Sequence, residues 1–483
     1  MENRLTRAIY NASPIWMQNI FATIYGYQKK RRRYGKYFAR WRKFFSESFS
    51  WSRAELENYQ NEQLRLVIRC AYEHVPFYRE RFSQLGLRPE DIRTVADLPK
   101  LPLLEKDQVR DAGMRLVADN FPRRQLRREV TGGSTGSPLT TYCSPEAVHR
   151  NYGFIWARDR MGFEFGTPYA SFSSALTVPP QQKHPPYWRR NYVANQTVYS
   201  IYHISPETMD DYLDDLASRE LQYYEGYPTP MYILGRYLLK HPRPFRHYPR
   251  AIYTTSEELQ PGYREVIEQA FKTRLYNQYG QGEKVACISE YSCGHLHYDM
   301  DYGIIEFLPV GKNEEGKPIC EMVCTGFQNF AAPLIRYRVG DLALLPNNNV
   351  ACDVYAGPVV ESIYGRTGHV LIGKTGRLFH NITAISRHAE HIAAIQCVQE
   401  QPGQMVVRVV PDAGWTDADG IKLAKLIEQR MGSEIDFTIE TVAELEKTRG
   451  GKTLSIVSKV PPDKIAAALD GRQSTSDEAT DKK

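Results

Sequence analysis

Thr131 to Thr140 read TGGSTGSPLT, three glycines among small hydroxyl residues with a proline near the end of the run. Glycine lets a backbone turn with positive φ and brings its N–H groups close to a ligand, and Thr131, Ser134 and Thr135 add hydroxyl donors. Such a loop suits a phosphate. A strict Walker A loop is excluded, because no lysine follows Gly136. A Ser/Gly-rich surface turn is the alternative, and the stretch alone does not separate the two.

The chain holding this loop has 483 residues, more than one ordinary core needs, so a large domain with a smaller companion is expected. Hydrophobic residues at 42% and charged residues at 24% are those of a folded, soluble protein. The net charge of +6 is modest, and its local excess sits in KKRRRYGK near the N-terminus. That run is read as a solvated basic face, with peripheral contact to a membrane surface or a polyanion as the alternative. No nucleic-acid partner is expected. PIWMQNIFATIYGY is too short and too polar to span a bilayer and lacks the pattern of a signal peptide, so a cytoplasmic protein is expected. Eight cysteines scattered over this length do not form a disulfide framework, which agrees with a reducing compartment.

Ser52 and Glu55 make a capping-box signature, and the following run keeps helical periodicity until Pro76, so residues 1–120 are expected to be mostly helical. After the glycine-rich loop, Ser144 and Pro145 open a second helix, YASFSSAL reads as a strand, and SPETMDDYLDDLASRE repeats the Ser-Pro helix start. Between residues 250 and 345 the strand-like runs AIYTTS, RLYNQYG, GIIEFLPV and EMVCTGF alternate with turns and the helix PGYREVIEQAF. This is an α/β pattern. Beyond Gly365, MVVRVVP, DGIKLAKLIEQRMG and DFTIETV read as a βαβ unit in a small α+β domain. The expected division is a large unit over 1–364 with β-sheets flanked by helices, a small unit over 365–470, and a polar, disordered tail over 471–483.

In chain order the sequence offers TGGSTGSP (131–138), YGQGE (279–283), RYRVGD (336–341), GRTG (365–368) and RGGKTLSIVSK (449–459). This series resembles the adenylate-forming superfamily, and within it the phenylacetate-CoA ligase branch. MQNIFATIYGYQKKRRRYG, AYEHVPFYRERF and AAPLIRYRVGD are similar to members found in capsule and polysaccharide biosynthesis. The resemblance implies ATP-dependent, AMP-forming activation of a carboxylic acid, with release of pyrophosphate and transfer of the acyl group to coenzyme A. It also implies a small domain that rotates on the large one.

The resemblance further assigns roles by position. Thr131, Gly132, Gly133, Ser134, Thr135 and Gly136 would wrap the β- and γ-phosphates, with Leu139 standing where many relatives carry a lysine. Glu283 would hold Mg²⁺, a hard ion that takes carboxylate and phosphate oxygens. Tyr279 and Gly280 would lie beside adenine and the acyl-adenylate, Asp341 would accept from the ribose hydroxyls, and Arg366 would reach ribose or phosphate. Lys452 would bridge the attacking carboxylate and the α-phosphate, relieving their repulsion, with Lys447 and Lys459 as rivals. Without that context, Glu283 reads as a loop cap, Asp341 as a turn residue, Arg366 as a solvated arginine and Lys452 as part of a polar hairpin.

Two departures matter. Gly368 and His369 replace the paired acids common at the family hinge, which puts thioester formation in question. Direct acyl transfer to an amine or hydroxyl, as of a saccharide, is therefore an alternative, and a non-catalytic scaffold of the same fold is another. Cys293 and His297 match one half of a structural zinc site in some relatives, but only Cys352 stands for the other half, so reduced cysteines are the preferred reading over zinc. SFSSAL and YYEGYPTP are expected to line the acid pocket, whose aromatic residues suit a planar or apolar acid.

Overall fold

The computed structural model of the protein describes residues 4–131, 139–157, 165–257, 259, 262–312, 316–364, 370–375, 378–380, 391–412, 414–446, 456–458 and 460. Helices open the chain: α1 (Arg4–Ala12), α2 (Ile15–Arg33), α3 (Phe38–Ser48), α4 (Arg53–His74), α5 (Pro76–Leu85) and α6 (Lys106–Ala112). The capping box forms at α4, where Glu55 Oε2 accepts from the Ser52 N–H at 2.7 Å and the Ser52 hydroxyl accepts from the Glu55 N–H at 3.3 Å. Pro76 cannot continue α4 and becomes the first residue of α5. In α2 the basic run divides. Lys30, Arg31 and Arg32 are exposed as expected, whereas Arg33 turns inward. It lies two helical turns after Gly26, whose face packs on the side chain of Asn191. No helix of the described residues is long and apolar enough to cross a membrane.

β1 (Arg127–Thr131) and β2 (Leu139–Cys143) form a hairpin that pairs Thr131 with Leu139, so residues 132–138 join two antiparallel strands. α7 (Pro145–Ala157) follows, capped as expected by Ser144, whose hydroxyl accepts from the Ala147 N–H at 3.1 Å.

The next stretch alternates: β3 (Tyr169–Ser173), β4 (Trp188–Asn191), β5 (Gln196–Ser200), α8 (Met209–Ser218), β6 (Tyr223–Gly226), α9 (Pro228–Lys240), β7 (Ala251–Thr255), α10 (Tyr263–Phe271) and β8 (Leu275–Gly280). Seven more strands come after it: β9 (Cys287–Glu290), β10 (Leu296–Tyr298), β11 (Gly303–Lys312), β12 (Pro318–Gly326), β13 (Tyr337–Leu344), β14 (Val359–Val360) and β15 (Ser362–Tyr364). Nine of these strands make the main sheet, in the order β14-β10-β9-β8-β7-β6-β3-β5-β4, and β11, β12, β13 and β15 make a second sheet. β5, β3, β6, β7 and β8 run parallel, which requires crossovers; α8, α9 and α10 supply those from β5 to β6, β6 to β7 and β7 to β8, and β3 reaches β5 by way of antiparallel β4.

Strand alternation decides what each face of the main sheet carries. Phe172, Tyr224, Ile252 and Leu275 fall on one face and join the core made with α8, α9 and α10. Burying each such side chain stabilises the fold by about 1.5–3 kcal/mol before entropy is counted. Their neighbours Ser171, Glu225, Tyr253 and Tyr276 point to the other face, toward α2 and α7. At the end of β6 the chain needs glycine: Gly226 has φ +136°, and a Cβ there would stand 1.9 Å from the Phe172 carbonyl oxygen.

The C-terminal region contains β16 (Val370–Ile372), β17 (Leu378–His380), β18 (Ile392–Gln399), β19 (Gln404–Pro411), α11 (Asp417–Met431), β20 (Asp436–Thr441) and β21 (Ile456–Ser458). The expected βαβ unit is β19, α11 and parallel β20, and β18 and β21 widen it to the order β20-β19-β18-β21. Arg430 of α11 donates to the Tyr202 hydroxyl at 2.5 Å.

Candidate functional site

β8 ends in the YGQGE turn, and the turn is tied to β13, which carries RYRVGD. Tyr279 donates its hydroxyl to Asp341 Oδ2 at 2.7 Å, and Tyr337 donates to Glu283 Oε1 at 3.4 Å. Asp341 is fully buried behind Tyr279, while Tyr279 and Gly280 line a cavity. The first arginine of RYRVGD serves the fold. Arg336, held at φ +50°, clasps Glu306 through Nε at 2.9 Å and Nη2 at 2.8 Å.

Lys284, next to Glu283, takes φ +58°, a conformation that costs a non-glycine residue roughly 1–2 kcal/mol. Its ammonium donates to Glu129 on β1. That ion pair fastens the hairpin of the glycine-rich loop to the turn holding Glu283. Burial opposes the charge on Lys284, but Cys143 and Glu129 outweigh it and hold the ammonium above its ordinary pKa. Burial also pushes the Cys143 thiol up to about 12, away from the thiolate form.

Three cavities adjoin the turn. Glu129, Thr140, Asn329 and Glu283 line a narrow one at the hairpin. A larger one, 450 Å³, is walled by Gln278, Tyr279, Gly280, Glu257 and Glu290. In its wall, Glu290 Oε2 accepts from Arg264 Nη2 at 2.7 Å and from the Asn277 N–H at 3.0 Å. Burial raises the Glu290 carboxyl, and Arg264 works against that rise. The third, 290 Å³, is lined by Ser171, Ser173, Glu225, Tyr227, Tyr253 and Gln278. Gln278 and Ser256 line both larger cavities, and Ser256 holds φ +71° at that junction. The C-terminal ends of parallel strands are where α/β sheets bind ligands.

Of the residues singled out in the sequence, Tyr279, Gly280, Glu283 and Asp341 come together, and Thr131 ends the adjoining strand β1. Gly132, Gly133, Ser134, Thr135, Gly136, Arg366, Gly368, His369, Lys447, Lys452 and Lys459 lie outside the described residues. SFSSAL and YYEGYPTP do face one cavity, but Phe172 and Tyr224 point away from it, so serines and a glutamate join the tyrosines in its wall. Glu225, Gln278, Ser256 and Lys284 were not singled out. A period-2 count along YYEG would have found Glu225.

Cys293, His297 and Cys352 also meet, with their ligand atoms all within 4.8 Å of one another. His297 Nδ1 donates to the Gly357 carbonyl at 2.8 Å, which leaves the Nε2 lone pair facing Cys293 Sγ at 3.3 Å. Burial, with Cys352 beside it, raises the Cys293 thiol. Soft sulfur and imidazole donors so arranged fit zinc, with three ligands among the described residues where a closed site has four. All eight cysteines are free thiols.

Residues 371–459 match the family model of the CapK C-terminal domain. Over 460 residues the chain is 27% identical to Protein CapK of Staphylococcus aureus, covering 94% of this chain and 99% of that protein. It is 25% identical over 360 residues to a phenylacetate-coenzyme A ligase of Thermus thermophilus, covering 66% of this chain and 72% of the ligase. In fold it is similar to 2-hydroxyisobutyryl-CoA ligase crystallised with 2-HIB-AMP and CoA, at TM-score 0.56 and 17% identity, over 87% of this chain and 93% of that one.

Proposed function

We propose, for this member of the adenylate-forming superfamily on the branch of CapK and the phenylacetate-coenzyme A ligases, that it activates a carboxylic acid with ATP and passes the acyl group to coenzyme A. The observation that carries the reading is the meeting of the 450 Å³ and 290 Å³ cavities at Gln278 and Ser256, directly below the YGQGE turn. Adenylation needs two adjoining chambers, because a carboxylate must reach the α-phosphorus of a nucleotide. A carboxylate oxygen attacks that phosphorus, the bond to the bridging oxygen breaks, and pyrophosphate leaves. The coenzyme A thiol, releasing its proton to solvent, then attacks the acyl carbon, the bond from that carbon to the phosphate oxygen breaks, and AMP leaves.

Both steps gather negative charge, so the residues assigned here act mainly by stabilising it. Thr131 to Gly136 would bind the β- and γ-phosphates through backbone N–H groups and hydroxyls. Glu283 suits Mg²⁺, since its carboxylate lines the cavity at the hairpin and one oxygen is oriented by Tyr337. Bound there, the ion would neutralise phosphate charge. Tyr279 would flank the base with its ring fixed by Asp341, and Asp341 and Arg366 are assigned to ribose and phosphate. Lys452, on a small unit over 365–470 that turns on the large unit over 1–364, would bridge carboxylate and α-phosphate.

The test is ATP-dependent pyrophosphate release across aryl, hydroxy, fatty and amino acids, with and without coenzyme A, and with Lys452→Ala as the control. Release that needs an acid, falls about 100-fold or more in Lys452→Ala and turns over only with coenzyme A is expected. Turnover that ignores coenzyme A would replace the acceptor by an amine or hydroxyl. No acid-dependent release would overturn the reading.

A further inference from the structure

The 290 Å³ cavity has a carboxyl group in its floor. Ser171, Glu225 and Tyr253 are direct partners across β3, β6 and β7, so the three side chains form one row on the same face of the sheet. Below that row the cavity is closed by aromatic packing, with the Tyr169 and Tyr223 rings stacked 4.8 Å apart. Above it, Ser173, Thr255 and Gln278 lead to the junction with the 450 Å³ cavity. An acid entering with its carboxyl at that junction therefore directs its far end at Glu225.

Glu225 is poorly compensated there. The Ser171 hydroxyl donates to it, and Arg33 of α2 acts on it from a distance, its guanidinium engaged over the Tyr152 ring at 4.5 Å. Burial raises its carboxyl against both influences. Among the described residues no ion pair forms at Glu225. An ionised carboxylate offers about four acceptor positions, so among the described residues most of that capacity is not taken up. An alkyl or plain aryl acid would strip water from that group and return no hydrogen bond, whereas a hydroxyl or ammonium on the acid would replace the lost water.

We propose that the acid activated by this protein carries a hydrogen-bond donor, a hydroxyl or an amino group, at the end remote from its carboxyl, and that Glu225 accepts from that donor. The inference rests on the acid-activating reading above and names its substrate class. A chamber of 290 Å³ lies at the small end of ligand sites, which limits the acid to a compact one. Sites built to bond a substrate hydroxyl reject the analogue lacking it far more strongly than apolar pockets reject a missing methylene.

The experiment is ATP–pyrophosphate exchange, which reads adenylation alone, on matched acids that differ only in the remote group. One set is γ-hydroxybutyrate, γ-aminobutyrate and pentanoate; the other is para-hydroxybenzoate, para-aminobenzoate and para-methylbenzoate. In the better set the wild-type protein should favour a donor-bearing acid over its methyl analogue by about 100-fold or more in kcat/KM. In the alkyl set, preference for the amine, an ammonium at neutral pH, identifies an ionic contact; in the aryl set both donors are neutral, and preference for either identifies a hydrogen bond without charge. Glu225→Leu should erase or reverse the ratio, and Glu225→Gln should keep a preference for a neutral donor while losing one for the γ-aminobutyrate ammonium. A wild-type protein that exchanges with methyl analogues as well as with donor acids overturns the proposal without needing any variant, and so does a ratio unchanged in a folded Glu225→Leu. Exchange with none of the acids, in wild type or variant, instead removes the acid-activating reading and this inference with it.

Discussion

Tyr279 donates to Asp341 Oδ2 at 2.7 Å while its own hydroxyl oxygen accepts from Gln281 Nε2 at 2.6 Å. The chain of bonds pins the tyrosine ring at the wall of the 450 Å³ cavity and gives the fully buried Asp341 one of its donors. Tyr279→Phe keeps the ring and removes that donor. The expected cost is about 1–3 kcal/mol of stability, read as a lower urea midpoint at unchanged slope. ATP should bind more weakly as the ring loses its anchor. An unchanged midpoint would mean that Asp341 does not depend on this bond.

The Lys284–Glu129 pair lends itself to a double-mutant cycle. Lys284 keeps only 14% of its side chain exposed and Glu129 31%, so removal of one partner leaves the other charge partly desolvated. Glu129→Gln should therefore be more damaging than Glu129→Gln combined with Lys284→Met, with a coupling of about 0.5–3 kcal/mol. Each single change should also weaken ATP binding, because the hairpin of the glycine-rich loop is fastened through this contact. Strict additivity of the two changes would sink the idea.

Much of this frame was legible where local chemistry and tertiary packing agree. The capping box at Ser52, the Ser144 cap and the strands Tyr169–Ser173, Ala251–Thr255 and Leu275–Gly280 are examples. SPETMDDYLDDLASRE departs from its pattern, since the helix begins at Met209; Thr208 instead bonds back to Ser205, its hydroxyl accepting from the Ser205 N–H at 3.0 Å. β9, β10 and β14 escaped because they span four, three and two residues and are fixed by partners distant in sequence. The candidate site divides in the same way. YGQGE and RYRVGD were recognisable as motifs, but their hydrogen bonds to each other depend on how β8 and β13 pack. Glu225 was hidden because YYEGYPTP was read for its aromatics and not for its alternation, and Arg33 because a basic run was read as one solvated face.

Cys293, His297 and Cys352 predict a metal-binding experiment. With Nδ1 held by the Gly357 carbonyl, the His297 ring already presents its other nitrogen to the thiols. Protein purified without chelator should carry about one zinc per chain, and Cys352→Ser should lose most of it. Because burial raises the Cys293 thiol, zinc should leave as pH falls, since protons compete for the sulfur. Zinc content near zero at neutral pH in protein made with added zinc would leave three reduced side chains.

Asp419 predicts a pH dependence confined to one helix. Its Oδ2 accepts from the Thr416 hydroxyl at 2.9 Å and from the Thr416 N–H at 3.0 Å at the start of α11. The Thr416 hydroxyl, then the Thr416 N–H and the neighbours His391 and Lys422, hold the carboxyl down at about 2. An unfolded aspartate titrates near about 3.9, so the folded pKa is the lower one. Its stabilisation is then complete above about pH 4 and is lost as pH falls toward about 2. Hydrogen exchange in the first turn of α11, taken as the ratio of Asp419→Ala to wild type so that intrinsic exchange cancels, should show weaker protection in the variant at about pH 6 and a narrowing gap by about pH 3. Asp419→Asn keeps a neutral acceptor oxygen, and its protection relative to Asp419→Ala should stay level across that window. A gap between wild type and Asp419→Ala that does not change with pH would show that the carboxylate charge adds nothing to the cap.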